Sequence, residues 1–509
     1  MSKSKKNKSS RGPTLSRGAT PALAAAKGKK PWYETIAWPV IILTCIITFF
    51  VLDHGSSYKR REAALTFDEG VYIRLALQLK QGEPYNTIKL WEEKKKSRLL
   101  PDYMSRPLFK HPPLYPWLVS MSYAMLEQKS TYRYEELYEA AANVSNLMAC
   151  LLVLLGFLFA RRYFGYPAAY LTAFLLAIDL NIALCGQKVW IASTLAFLTF
   201  ASLYLVFKAC EEHRAWFYPA GIVFGLAMLT KYTAVLVVPI MLSYILIYRR
   251  DLFRCKELYF FFGLAFLVFL PWLVTNMKVY GMDALTMMIL RQTRGPQKML
   301  YFGIFAAAVI AATWGAIILY QRMVQKHSDA DGTAVRTQWF PFIGVGLISL
   351  FFAMLFVHKP YVTSALKSLN WMALPNAGWD MKIYKQEPWY FYFKQHLEYS
   401  PYYLIMFVAF LRAPLGRKPD MYLLLSSVWV LLFATMWKNF QGRYAVQFVT
   451  PTLILIAATI IAVYQLLLRH KNIPGYAGLT ALSLALLYLT LKALKVYGAI
   501  ALHNNVAYF

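Results

Sequence analysis

Long apolar stretches recur along most of this chain, and they constrain its fold more than any other feature of the sequence. A helix that crosses the roughly 30 Å of hydrocarbon in a bilayer needs about 17–25 predominantly apolar residues. The stretches that approach this length lie near residues 37–53, 141–160, 167–185, 189–208, 215–230, 232–248, 258–275, 301–320, 340–357, 401–412, 421–437, 446–468 and 477–494. The sequence therefore predicts an all-α polytopic membrane protein with about 13 transmembrane helices (range 11–13).

Composition excludes several other classes of protein. Hydrophobic residues make up 58% of the 509 residues and charged residues only 16%, whereas a soluble domain is nearer half apolar and a quarter charged. This balance excludes a disordered chain, a coiled coil and a disulfide-stapled secreted module. The five cysteines are scattered without metal-ligand spacing or a disulfide framework, and we interpret them as packing residues.

Basic residues predict the orientation of the chain in the membrane. Residues 1–35 form a basic tail, predicted to be disordered and cytoplasmic, because its first thirty residues hold nine Lys or Arg and no acid. A nucleic-acid-binding arm is the less favoured interpretation of this tail. The transmembrane domain is predicted over 36–494, followed by a C-terminal tail at 495–509. Two large loops, 54–138 and 358–400, then lie on the outer face.

The first outer loop carries adjacent carboxylates, Asp68 and Glu69, ahead of apolar residues at helical spacing. The spacing of Val71, Leu75 and Leu79 predicts an amphipathic helix in the membrane interface, one of the interfacial juxtamembrane helices expected in this loop. The two carboxylates would then lie in its first turn. They could act in catalysis, or they could simply complement the helix dipole.

Further candidate residues lie at the predicted outer ends of spans. His111 precedes two prolines and a second apolar juxtamembrane helix, and it is either a ligand-binding side chain or a solvated flank. Several cations at these ends could converge on a phosphate or could snorkel singly to lipid headgroups. They are Lys188, Lys231, Lys278, Arg291, Arg294 and Arg443. Lys231 is distinctive because it separates two spans with almost no loop.

Five segments, in this order, resemble the GT-C superfamily of polytopic membrane glycosyltransferases. The resemblance is closest to prokaryotic relatives of the dolichyl-phosphate-mannose–protein mannosyltransferases (glycosyltransferase family 39), with the aminoarabinose lipid A transferases as more distant relatives. The segments are Asp68-Glu69-Gly70 with Gly82 and Tyr85, His111-Pro112-Pro113-Leu114-Tyr115, Gly225 to Ala234, Pro388 to Tyr392, and Gly442-Arg443-Tyr444 before Pro451. Together they extend over about residues 37–470. The large soluble insert of the eukaryotic enzymes is absent.

The sequence departs from the family where many relatives carry a second acid early in the fourth span. Ala192 stands at that position, and Asp179 lies well upstream of it. This departure leaves a two-acid mechanism and a bound metal in doubt. We therefore predict no certain cofactor, with a divalent metal left open.

The resemblance implies a polyprenyl-phosphate-linked sugar as donor and a hydroxyl group of a protein, lipid or glycan as acceptor. It implies an inverting transfer on the outer face, with Asp68 and Glu69 as catalytic residues. Asp68 would be the general base, and Glu69 would position the acceptor or tune Asp68. The residues expected to bind the donor phosphate are Lys231, Arg443, His111, Arg291 and Arg294. Tyr85, Trp389 and Tyr390 are expected to contact the sugar or acceptor, although these aromatic residues also fit an interfacial belt.

Two other functions stay open at this point. A flippase or transporter of lipid-linked sugars would need charges near the membrane midplane, whereas here they cluster at predicted outer ends. A catalytically inactive GT-C-like subunit would account for Ala192. We expect a bacterial inner membrane or an archaeal cell membrane, with the bilayer as partner and no nucleic acid.

Overall fold

The computed structural model describes residues 67–88, 111–126, 133–281, 391–436, 442–469 and 473–498, with a few isolated positions between 40 and 92. These residues are mostly helical and contain no β-strand. The predicted spans at 301–320 and 340–357 and both predicted tails up to residue 35 and beyond residue 498 lie outside the described residues. The all-α prediction is confirmed, while the count of about 13 helices stays a prediction.

Fourteen α-helices of the described chain are numbered here in order. They are α1 Phe67–Lys80, α2 Leu114–Tyr123, α3 Tyr134–Phe164, α4 Tyr166–Ala177, α5 Leu180–Gln187, α6 Ala192–Glu211, α7 Phe217–Thr230, α8 Val237–Tyr248, α9 Lys256–Tyr280, α10 Phe391–Tyr399, α11 Leu404–Arg412, α12 Lys418–Met436, α13 Val446–Arg469 and α14 Ile473–Tyr497. Short 3-10 turns join several of them, at Arg214–Trp216, Tyr232–Leu236, Arg250–Arg254, Pro401–Tyr403, Ala413–Leu415 and Gly442–Ala445.

Five helices of the described chain are long and apolar enough to cross a membrane, or six if α4 and α5 form one bent span. The five are α3, α6, α9, α14 and the segment Arg443–Arg469, which contains α13. The helices α9 and α14 expose large apolar side chains such as Phe266 and Leu484. Because lipid tails cover such surfaces at no cost, the chain is a multi-pass membrane protein.

Local sequence explains where several helices begin and end. Gly165, at φ 91°, ends α3 in a conformation that disfavours other residues, and Pro167 begins α4 where a missing N–H does no harm. Asp179 interrupts the predicted span 167–185, because its carboxylate caps α5 by accepting a hydrogen bond from the Ile182 N–H. The axes of α4 and α5 therefore differ by 55°.

The helix α13 lies at the centre of the bundle, and 83% of its most apolar stretch is buried inside the protein. It packs against α3, α4, α6, α11, α12 and α14. The helix α7 packs along α9, where a Cβ on Gly221 would clash with the backbone of Phe261. This core fixes the positions of α3, α6, α7 and α13. The candidate site lies at one end of the bundle that these helices form.

The helix α1 confirms the prediction of a helix after Asp68, but protein surrounds more of it than an interfacial position implies. Leu75 and Ala76 are fully buried, and Tyr72 and Ile73 are 2% exposed. The helix packs against α2 and α3. Its first turn is consequently held in place by the protein, which positions the two carboxylates.

Candidate active site

An ion pair joins two residues that are far apart in sequence. Asp68 lies in the first turn of α1, and Arg443 lies in the 3-10 turn immediately before α13. The distance from Arg443 Nη2 to Asp68 Oδ2 is 2.7 Å. The Asp68 side chain is 31% exposed and that of Arg443 is 14% exposed. The pair is therefore held by the fold and yet remains open to a ligand.

Two aromatic rings position the cations around this pair. The Arg443 guanidinium carbon lies 4.6 Å from the centre of the Trp190 ring and 5.6 Å from that of Tyr444. The Lys231 ammonium lies 4.5 Å from the centre of the same Tyr444 ring. Cations are attracted to the faces of aromatic rings. Tyr444 thus holds Lys231 and Arg443 near one another despite their mutual repulsion.

Lys231 lies at the break between two helices. Its backbone is extended, at φ −160° and ψ 140°, so α7 ends at Thr230 and the next turn begins at Tyr232. Within the described part of the chain it forms no ion pair with a carboxylate. Burial, reinforced by the positive charge of Arg443, lowers the pKa of Lys231 to about 8. The ammonium is therefore a cation that would gain from a bound anion.

Glu69, the neighbour of Asp68, has a very different environment. Its side chain is fully buried, and Oε1 accepts hydrogen bonds from the Tyr138 hydroxyl at 2.8 Å and the Val189 N–H at 3.3 Å. The Lys188 ammonium lies 3.8 Å from Oε2 and is 1% exposed. Glu69 therefore connects α1 to α3 and to the segment before α6, which carries Trp190.

Replacing Tyr138 with Phe tests this connection. The substitution removes one hydrogen bond to a buried carboxylate, and we expect it to lower the free energy of unfolding by about 1.5–3 kcal/mol. Denaturation of the detergent-solubilised protein measures the change. Tyr488→Phe is the matched control, because Tyr488 is 63% exposed on α14. Equal stability of the two variants would contradict the role given to Glu69.

His111 and Tyr85 lie beside the same end of the bundle. The Tyr72 hydroxyl is 3.1 Å from His111 Nδ1, and Tyr72 is one helical turn from Asp68. The Tyr85 hydroxyl donates to the His111 carbonyl oxygen at 2.9 Å. The Tyr85 ring also meets the edge of Trp272, whose indole N–H donates to the hydroxyl of Tyr232. Tyr232 follows Lys231, so these contacts connect Tyr85 to the cation cluster.

The structure brings together Asp68, Lys231 and Arg443, places His111 and Tyr85 close by and buries Glu69 behind them. The other predicted site residues, Arg291, Arg294, Trp389 and Tyr390, lie outside the described residues. The sequence did not single out Trp190 and Tyr444 as supports for cations. Tyr444 directly follows Arg443 in the sequence, and this adjacency was the available signal for that ring.

The structure also describes Ala192, which stands where the sequence lacks a second acid. Ala192 begins α6 and is 4% exposed. Asp179 is 1% exposed. Its carboxylate accepts a hydrogen bond from the Ile182 N–H and another, at 3.0 Å, from the Tyr403 hydroxyl. Across the described ranges, no group of three or more His, Cys, Asp or Glu side chains could hold a metal ion. These side chains therefore offer no ready-made metal site.

The chain is similar to known proteins in part of its sequence and in its fold. A family model described as dolichyl-phosphate-mannose-protein mannosyltransferase matches residues 110–274, a segment that includes Trp190 and Lys231 but neither Asp68 nor Arg443. No curated protein sequence matches the chain. The chain resembles GT-C membrane glycosyltransferases, and solved structures show the same fold.

Two of these structures are of oligosaccharyltransferase from Archaeoglobus fulgidus, and the first is named AglB. With an inhibitory peptide and a dolichol-phosphate, it matches at TM-score 0.57 and 16% identity, over 93% of this chain and 56% of that one. The apo form of the A. fulgidus enzyme matches at TM-score 0.58 and 17% identity, over 93% and 57%. This chain thus spans a little over half the length of those proteins.

A third structure is ArnT from Cupriavidus metallidurans bound to undecaprenyl phosphate. It matches at TM-score 0.50 and 13% identity, over 92% of this chain and 75% of that one. At these identities the comparisons show the GT-C fold.

Proposed function

We propose that the protein transfers a sugar from a polyprenyl-phosphate-linked donor to a hydroxyl group of a protein, lipid or glycan, with inversion. The observation that carries this proposal is the position of one partly exposed carboxylate, Asp68, beside Arg443 and near Lys231. Sugar transfer from a phosphate needs a base for the attacking hydroxyl and positive charge for the leaving group. The dolichol-phosphate and undecaprenyl phosphate bound to AglB and ArnT support a lipid-linked donor.

Asp68 acts as the general base. Its carboxylate accepts the proton of the acceptor hydroxyl while the hydroxyl oxygen attacks the anomeric carbon of the sugar. The bond from that carbon to the phosphate oxygen breaks, and its electron pair leaves with the phosphate. A single displacement from the opposite face inverts the configuration. Phosphate is a good leaving group, so the step does not need the acid of a paired-carboxylate glycosidase.

Arg443 and Lys231 stabilise the phosphate as its charge grows. Arginine binds phosphate oxygens in bidentate fashion, and lysine contributes a point charge. Both cations are already positioned by the Tyr444 ring, so little reorganisation is needed during the reaction. Before the donor binds, Arg443 is paired with Asp68. The donor phosphate competes for Arg443 and thereby leaves Asp68 more available to the acceptor.

Glu69 has a supporting role in this mechanism. It is fully buried and bonded to Tyr138 and Val189, so it orients the first turn of α1 and does not exchange protons with the acceptor. Tyr85 contacts Trp272, which is hydrogen-bonded to Tyr232, and it borders the space where the sugar would lie. His111 fixes Tyr72 and Tyr85 in place. Arg291, Arg294, Trp389 and Tyr390 remain candidates for donor or acceptor binding.

The proposed orientation places the N-terminus in the cytoplasm of a bacterial or archaeal cell and the site on the outer face. The helix α3 runs from the site to a basic end at Arg161 and Arg162. Arg249 and Arg250 follow α8, which also leads away from the site. Short basic turns of this kind favour the cytoplasmic side.

Donor affinity should depend on pH through Lys231. The pKa of its ammonium is lowered to about 8 in the free protein, so the charge is lost as the pH rises through about 8. The donor is a phosphodiester and does not titrate in this range. We expect its KM to rise by up to about tenfold per pH unit above about pH 8.

The variant Lys231→Arg should abolish this dependence, because arginine stays charged. The comparison needs KM values for the donor at constant acceptor between about pH 7 and about pH 9. If the donor KM rises equally with pH in Lys231→Arg and in the wild type, Lys231 does not bind the donor.

Vesicles that contain the purified protein distinguish the proposed function from its alternatives. A labelled polyprenyl-phosphate sugar and an acceptor peptide or glycan are supplied, and both labelled product and movement of the donor across the bilayer are measured. Product formation supports the transferase. Movement of the donor without product would establish a flippase, and neither signal with any donor tested would favour an inactive subunit.

A further inference from the structure

A cavity lined by two arginines lies at the opposite end of α3 from the candidate active site. Arg161 and Arg162 occupy the last turn of this helix. They line a cavity of about 350 Å³ together with Leu158, Tyr166 of α4 and Tyr204 of α6. The Arg161 guanidinium carbon lies 5.0 Å from the centre of the Tyr166 ring. This volume is at the lower end of the roughly 300–1,000 Å³ that small-ligand sites occupy.

The length of α3 separates this cavity from the active site. Tyr138, which donates to Glu69, and Arg161 are both on α3, and at 1.5 Å per residue they lie about 35 Å apart along its axis. That separation matches the hydrocarbon thickness of a bilayer, roughly 30 Å. The cavity therefore lies at the headgroup level of the leaflet opposite the site.

Positive charge predominates around the cavity. Arg162 uses Nε to pair with Glu212 at 3.1 Å, and its side chain is still 60% exposed. The Lys208 ammonium lies 5.9 Å from the centre of the Tyr204 ring. Arg161, Arg162 and Lys208 are thus three cations at this end of the bundle, and the carboxylate of Glu212 pairs with Arg162. The contact with Glu212 orients the Arg162 guanidinium and leaves the surroundings cationic.

We propose that this cavity binds the headgroup phosphate of an anionic glycerophospholipid. Two arginine side chains that line one cavity suit a phosphodiester, which arginine binds in bidentate fashion. Basic pockets between transmembrane helices bind such headgroups, and tyrosine favours this depth in a membrane. Leu158, one turn toward the membrane from Arg162, lies where the acyl chains begin. The assignment is independent of sugar transfer.

Native mass spectrometry of the full-length protein tests the proposal. Dioleoylphosphatidylglycerol is titrated into the detergent-solubilised protein, and dioleoylphosphatidylcholine serves as a probe with the same chains and no net charge. We expect one phosphatidylglycerol to bind selectively. Its affinity should fall roughly fivefold in Arg161→Gln and roughly thirtyfold in Arg161→Gln/Arg162→Gln.

Arg254→Gln is the matched control, because it removes an exposed cation near the same end of the bundle but outside the cavity. Its affinity for phosphatidylglycerol should equal that of the wild type. The proposal is overturned if Arg254→Gln and the cavity variants lose the same affinity, or if phosphatidylcholine binds as tightly. Displacement of the lipid by an equal concentration of inorganic phosphate would point to a soluble phosphate ligand and would also overturn it. If the double variant does not fold, Arg161→Gln alone decides the question.

Discussion

Asp68→Asn should lower kcat for sugar transfer by about 100- to 10,000-fold, the usual contribution of a general base. Asparagine keeps the size of the side chain but cannot accept the proton of the acceptor hydroxyl. The substitution also releases Arg443 from its 2.7 Å ion pair. We therefore expect the KM for the donor to stay the same or to decrease, because Arg443 is then free to bind phosphate. Steady-state kinetics with the donor varied separates the two effects.

Asp251→Asn is the control for this experiment. Asp251 is 51% exposed and pairs with Arg249 and Arg214 in the turn after α8, at the end of the bundle away from the site. This variant should transfer sugar at the wild-type rate. An Asp68→Asn protein with wild-type kcat, at matched expression, would exclude Asp68 as the base.

Arg443→Gln should lower kcat by about 100- to 1,000-fold, the loss observed when one preorganised group that stabilises a developing anion is removed. The KM for the donor should rise as well, because the same guanidinium binds the phosphate before the reaction. Arg443→Lys keeps the charge but loses the bidentate geometry, and we expect an intermediate loss. The donor KM thus rises in the Arg443 variants and does not rise in Asp68→Asn.

Arg417→Gln provides the comparison for Arg443. Arg417 lies 5.2 Å from the centre of the Phe164 ring, at the far end of α3, so it is also an arginine over an aromatic ring but distant from the donor. Its kcat and donor KM should match the wild type. If Arg443→Gln and Arg417→Gln reduce transfer equally, the effect of Arg443 is structural and the phosphate site is elsewhere.

Hydropathy predicted individual helices well and their interruptions poorly. The predicted span 446–468 corresponds to α13, Val446–Arg469, and 189–208 corresponds to α6, Ala192–Glu211. The span 167–185 is broken at Asp179, where the chain bends by 55°. Averaging hydropathy along the stretch hides this break, because apolar residues continue on both sides. An acid inside an apolar stretch was the available signal, since a carboxylate there readily caps a helix.

The difference between Asp68 and Glu69 also needed the structure. Both were predicted as catalytic from the family resemblance, and neighbouring residues on a helix point about 100° apart. Which of the two faces the ligand depends on what packs around α1. Tyr138 and Lys188, far along the chain, enclose Glu69. No local pattern in the sequence contains that information.

The pairing of Asp68 with Arg443 also could not be predicted from local patterns in the sequence. Asp68 and Arg443 are separated by 375 positions, and only the order of the family motifs suggested that they belong to one site. The spacing of residues around Arg443 says nothing about its partner. The supporting rings, Trp190 and Tyr444, were missed because an aromatic residue near a membrane surface has the interfacial belt as its ordinary explanation.

The most direct test of the account is the transfer of labelled sugar from a polyprenyl-phosphate donor by the purified wild-type protein, with the anomeric configuration of the product determined. Asp68→Asn and Asp251→Asn are assayed beside it. The account predicts a product of inverted configuration from the wild type and Asp251→Asn, and almost none from Asp68→Asn. A product of retained configuration, or equal transfer by all three proteins, would contradict it.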